Sequence, residues 1–237
     1  MLKKEICLLL FITLLFFCSC YKKNVDPHLD IKEIPINFDK KTIVILGSST
    51  AEGIGANPID SSWVNRMKMQ LLNDLNEIRV INLAVAGYTT LKILPSSYSS
   101  ADTLRNITKA LSYKPDLIII HLPSNDIAQG IQDEETLRNY DIIIKRIQEV
   151  FIPYIIVSTQ PRNFASYSIR LRLANFNKKL EISFPGKILG IYDKLTTPDY
   201  FINPAYSYGD GVHLNNKGHE IIFNSMMADS SFKSILY

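Results

Sequence analysis

TIVILGSSTAEGIGA, residues Thr42 to Ala56, decides the fold. Its first five residues are apolar or β-branched without alternation, the pattern of a strand covered on both faces. The run ends in Gly47 and then three hydroxyls, Ser48, Ser49 and Thr50. Such a cluster at a strand tip serves as a turn or helix cap, or as a nucleophile on a rigid element. If the segment stays extended, neighbouring side chains point to opposite sides, so only some of the three can face one partner.

The same type of apolar run recurs downstream. Strands are predicted at Thr42–Gly47, Arg79–Leu83, Asp116–His121, Tyr154–Ser158 and Lys187–Tyr192. Helical spacing of apolar residues falls at Ser62–Leu75, Asp102–Tyr113, Glu134–Phe151, Tyr167–Ile182 and Asn215–Ala228. Strands alternating with helices of this length imply a parallel sheet covered on both faces. Right-handed crossovers then give a three-layer, doubly wound α/β domain with five parallel strands, most simply in the flavodoxin-like order.

The N-terminus reads differently. Lys3 and Lys4 precede an apolar run from Ile6 to Phe17 that is short for a membrane span and suited to a secretory signal. It ends in Phe17-Cys18-Ser19-Cys20, which resembles a bacterial lipoprotein signal with Cys20 as the lipidated residue. Phe17 is atypical three residues before that cysteine. A plain signal peptide or an uncleaved anchor is the alternative. The expected division is a signal at 1–19, a polar tether at 20–40 carrying Pro27 and Pro35, and one domain at 41–237. All three cysteines (Cys7, Cys18, Cys20) lie in the leading segment, so the domain has no thiol for a disulfide, a metal or catalysis.

The chain has 237 residues, 46% hydrophobic and 21% charged, which fits a globular domain. A net charge of +3 without a long basic run gives no reason to expect a nucleic-acid partner. The expected partner, through lipid on Cys20, is the bilayer of a bacterial cell envelope. Nothing in the sequence assigns an oligomeric state.

In doubly wound folds ligands sit beyond the C-terminal ends of the strands. Gly47-Ser48-Ser49-Thr50 follows the first strand, Ala84–Thr90 the second and Leu122-Pro123-Ser124-Asn125-Asp126 the third. Gly209-Asp210-Gly211-Val212-His213-Leu214 precedes the helix at Asn215–Ala228. A serine attacks a carbonyl only when a base takes its proton, and histidine serves near neutral pH. A carboxylate such as Asp210, three residues from His213, can hold the imidazole tautomer. A developing oxyanion needs donors, which the amides of Ser49 and Gly87 and the side chain of Asn125 could supply.

These blocks resemble those of the SGNH, or GDSL-like, hydrolase family in order and spread. The resemblance places the family's nucleophile at Ser49 in Gly47-Ser48-Ser49, its glycine donor at Gly87 in NLAVAGYTT, its asparagine donor at Asn125 in PSND, and its closing Asp-x-x-His at Asp210 and His213. It implies a Ser-His-Asp esterase with an acyl-enzyme intermediate, a small-molecule or glycan ester as the partner, and neither metal nor other cofactor. Ser48 stands where the family usually has aspartate, and Pro123-Ser124 where it commonly has glycines.

Other readings fit less well. An α/β-hydrolase elbow would need a glycine where Ala51 stands. Gly53-x-Gly55 lacks the third glycine of a nucleotide site, since Pro58 occupies that position, and His219-Glu220 lacks the second histidine of a zinc site, where Phe223 stands. The remaining rival is a non-catalytic envelope lipoprotein that uses the fold as a glycan-binding module. Tyr206 and Tyr208, before Asp210, are candidates for lining the substrate site, and loop packing would equally explain them.

Overall fold

The computed structural model describes residues 40–75, 77–122 and 124–237. Cys20, the expected signal and the tether through Asp39 lie outside the described residues, as does Pro123. Among the described residues no helix is long and apolar enough to cross a membrane.

Five parallel strands form one sheet in the order β2-β1-β3-β4-β5: β1 Lys41–Gly47, β2 Ile78–Asn82, β3 Leu117–His121, β4 Tyr154–Val157 and β5 Ile188–Leu189. This is the expected flavodoxin-like order. The helices are α1 Ser49–Glu52, α2 Trp63–Leu75, α3 Ile107–Ser112, α4 Ser124–Ala128, α5 Asp133–Gln148, α6 Tyr167–Ser183, α7 Tyr192–Leu195, α8 Asn216–Ala228 and α9 Ser230–Leu236.

The unbroken apolar strands follow from burial on both faces. Alternate residues of β1 enter different cores. Val44 and Leu46 join Ile118, Ile120 and Ile156 beneath α3, α5 and α6. Ile43 and Ile45 join Leu117, Ile119 and Val157 beneath α2, α8 and α9. Each fully buried aliphatic side chain contributes roughly 1.5–3 kcal/mol, so the central strands anchor the rim from which the loops rise. In α5 the acidic first turn, Asp133 to Glu135, and the basic last turn, Lys145 and Arg146, complement the helix dipole.

Several expectations need correction. The fifth strand is two residues long and not six, because Tyr192 already starts α7. The helix expected from Asp102 begins only at Ile107, where the Asn106 side chain accepts from the Lys109 amide and caps it. Leu104, assigned to its apolar face, is 71% exposed. The segment after Gly47 does not stay extended, since Ser49 and Thr50 open α1. One helix beyond those expected follows Ala228, where Asp229 caps α9 through the Phe232 amide.

Candidate active site

The turn from β1 into α1 positions Ser49. Gly47 is required there, because a Cβ would lie 2.6 Å from the Ala51 Cβ. Ser49, 7% exposed, is the first residue of α1, so its amide has no partner within the helix. Trp63 Nε1 donates to the Thr50 carbonyl at 3.1 Å and Asn82 Nδ2 to the Ala51 carbonyl at 2.7 Å. These bonds tie α1 to the start of α2 and to the end of β2.

His213 arrives from a segment 164 residues away in sequence, and its Nε2 lies 2.9 Å from Ser49 Oγ. The other ring nitrogen, Nδ1, is 2.6 Å from Asp210 Oδ2. Asp210 Oδ1 accepts from the backbone amides of Val212 and His213, both at 2.8 Å. The carboxylate thus requires an Nδ1 proton on the neutral ring and leaves the Nε2 lone pair facing the Ser49 hydroxyl. Burial pushes the Asp210 carboxyl up, but the hydrogen bonds from His213 and Val212 outweigh it and hold the group at about 2. Gly55 lets the two segments approach: a Cβ there would sit 2.0 Å from the Leu214 carbonyl oxygen.

The expected oxyanion donors lie on the next two strand exits. Gly87 takes φ +81, and its amide has no protein partner among the described residues. The Glu52 carboxylate accepts from the Ala86 amide at 2.6 Å, and Gln129 Nε2 donates to the Gly87 carbonyl at 3.3 Å. Asn125 Nδ2 donates to the Tyr88 carbonyl at 3.0 Å. Beneath these loops Asp126, fully buried, accepts from the Thr90 amide with both oxygens at 3.1 Å and from the Thr90 hydroxyl, while Asn139 Nδ2 donates to that hydroxyl at 2.9 Å. Burial pushes the Asp126 carboxyl up to about 6, against the downward pull of the Thr90 hydrogen bonds.

The exit of β4 carries residues that the sequence reading passed over. Gln160 Oε1 accepts from Thr50 Oγ1 at 2.6 Å and its Nε2 donates to the Val212 carbonyl at 2.6 Å, so one side chain joins α1 to the His213 loop. The Asn163 amide donates to the Gly211 carbonyl at 2.8 Å. Arg162 Nη1 donates to Asn125 Oδ1 at 3.1 Å. Their signal was position alone: they follow a strand at the same rim as the other blocks.

The tyrosines divide. Tyr206 packs against the α2–α8 core, whereas Tyr208 is 57% exposed and its amide donates to the His213 carbonyl at 2.9 Å. His219 is buried, with the Trp63 amide on Nδ1 at 3.4 Å and the Ile54 carbonyl by Nε2 at 3.1 Å, a packing role and not a ligand. A cavity of about 410 Å³ lies along the β5 side, lined in part by Ser158, Asn177 and Tyr192. Ser49 and His213 are not among its walls. Among the described residues no group of three or more His, Cys, Asp or Glu side chains is placed to hold a metal ion.

A hydroxyl, an imidazole and a carboxylate thus stand in line at the C-terminal rim of a doubly wound sheet. The sequence matches the GDSL-like lipase/acylhydrolase family over residues 45–221, and the chain belongs to that family. It is a hydrolase acting on ester bonds. No curated protein matches the chain. Among solved structures it is similar to a psychrotrophic esterase from Pseudoalteromonas sp., at 18% identity over 83% of this chain and all of that one, with a TM-score of 0.58. A GDSL-like lipase from Bacteroides thetaiotaomicron is 17% identical over 83% of this chain and 88% of its own, with a TM-score of 0.57. An acetyl xylan esterase is 14% identical over 79% and 98%, with a TM-score of 0.61.

Proposed function

We propose that the chain cleaves a carboxylic ester through an acyl-enzyme on Ser49. The observation that carries this reading is the hydrogen-bonded line from Asp210 Oδ2 through both nitrogens of His213 to Ser49 Oγ, at 2.6 and 2.9 Å. His213 Nε2 takes the Ser49 proton as Oγ attacks the carbonyl carbon. Asp210 keeps Nδ1 protonated and stabilises the imidazolium. The amides of Ser49 and Gly87 and the free Nδ2 hydrogen of Asn125 receive the negative charge on the carbonyl oxygen. The imidazolium then protonates the leaving alcohol, and water, activated by the same histidine, releases the acid.

The proposed substrate is an O-acetylated glycan or another short-chain ester. One relative of the same fold is an acetyl xylan esterase, and exposed Tyr208 beside His213 offers a face for a sugar ring. The proposed location is the bacterial envelope, with lipid on Cys20. A fluorophosphonate probe should label Ser49, as read by mass spectrometry of the peptide, and Ser49→Ala should abolish labelling and ester turnover. An adduct on Ser48 or Thr50 would overturn the assignment. Cys20→Ser should release the protein from the membrane fraction; unchanged fractionation would overturn the anchor.

A further inference from the structure

We propose that Arg162 is a positioning residue that fixes the orientation of the Asn125 carboxamide toward the oxyanion, an inference that rests on the esterase reading above. An asparagine side chain has one accepting and one donating end, and a half-turn about its terminal bond exchanges them. Only the end bearing Nδ2 can stabilise an oxyanion. At Asn125 both ends are held. The Tyr88 carbonyl, which can only accept, meets Nδ2 at 3.0 Å. The Arg162 guanidinium, which can only donate, meets Oδ1 at 3.1 Å. Turning the amide over would set donor against donor and acceptor against acceptor at the two ends. The lock leaves the second Nδ2 hydrogen for the substrate.

Arg162 is itself built into place. It is half-buried, its guanidinium carbon lies 5.2 Å from the centre of the Phe164 ring, and the hydrogen bond to Asn125 is the one its side chain makes among the described residues. No carboxylate is close enough to form an ion pair with it among the described residues. Burial depresses its pKa and the Asp210 carboxylate opposes that shift. The following residue is pinned as well, with the Asn163 amide on the Gly211 carbonyl and Asn163 Oδ1 accepting from the Ile202 amide at 2.7 Å. The β4 exit therefore carries the orientation of the third donor, just as Gln160 ties α1 to the His213 loop.

A double-mutant cycle on the full chain tests this, with kcat and KM measured on p-nitrophenyl acetate. Arg162→Ala is expected to lower kcat about 10- to 100-fold, the range of a hydrogen bond to a charged group, with KM within about threefold. Arg162→Lys, which keeps a donor and a charge, should recover most of the loss. In an Asn125→Ala background Arg162→Ala should have less than about a twofold further effect, because the group it orients is gone. An undiminished effect in that background, a loss confined to KM, or unchanged kcat would overturn the proposal. Fluorophosphonate labelling separates the two levels. If Ser49 is labelled while the cycle is additive, only the role of Arg162 fails; if Ser49 is not labelled, the esterase reading fails and this inference falls with it.

Discussion

Asp210 and Asp126 stand at the same rim of the sheet with their carboxyl pKa values shifted in opposite directions. Asp210 lies on a loop, its side chain 38% exposed, and the amides of Val212 and His213 together with the His213 ring hold it at about 2. Asp126 is fully buried next to Asn125, and burial pushes it up to about 6 although Thr90 donates to it twice over. The difference separates two jobs that one residue type can do. A carboxylate that must stay charged beside an imidazole keeps partial access to water and collects donors. A carboxyl that ties two loops together beneath the surface sits where charge is disfavoured.

The sharpest way to break this contrast is to remove the charge at Asp210. Asp210→Asn should lower kcat roughly 10⁴-fold by presenting the wrong histidine tautomer, while the melting temperature stays close to that of the wild type. Steady-state kinetics beside a thermal melt checks both halves. Retained turnover would remove Asp210 from the machinery. Next in size is Asn125→Ala, which should reduce kcat ~100- to 1000-fold through loss of one oxyanion donor. Full activity in that variant would exclude Asn125 from the site.

Asp126 should respond in stability first. Asp126→Ala leaves the buried Thr90 amide and hydroxyl without their acceptor, at about 1–3 kcal/mol for each donor. Urea denaturation measures the loss, and an unchanged midpoint would mean that the cluster does not hold the loops. The last effect is one of pH. The folded value of Asp126, about 6, lies above its unfolded 3.8. Its contribution is therefore fully present below pH 3.8 and lost as pH rises through 6, by roughly 3 kcal/mol across that window. His121 and His219 act in the opposite sense. Burial depresses them from 6.5 to about 3 and about 4, so their contribution is full above pH 6.5 and lost as pH falls through those values. The Asp126 contribution is accordingly read as the unfolding free energy of wild type minus that of Asp126→Asn, which should fall from pH 4 to pH 7 if the carboxyl is the source. A difference independent of pH would refute the assigned shift.

The rim residues were unevenly legible. Gly47-Ser48-Ser49 and Asp210-x-x-His213 carry their own spacing and stand at the ends of recognisable elements, and the structure brings His213 within hydrogen-bonding distance of both Ser49 and Asp210. Gln160 and Arg162 have no such spacing. Their partners, Thr50 and Asn125, are 110 and 37 residues away, so no local pattern announces them. The helix expected from Asp102 was too long because apolar spacing continues through Leu104, while the Asn106 cap that starts the helix competes with that spacing and wins.

From the sequence alone came the five-stranded, doubly wound architecture, because a strand buried on both faces must be apolar throughout and a crossover helix must be amphipathic. Alternation of the β1 side chains between two cores then follows from the pleat. Only the tertiary structure decided which ends of Asn125 are held, that Gln160 spans α1 and the His213 loop, and that the pKa values of two aspartates at one rim move in opposite directions. Those properties depend on burial and on hydrogen bonds between residues far apart in the chain, and neither is a property of local sequence.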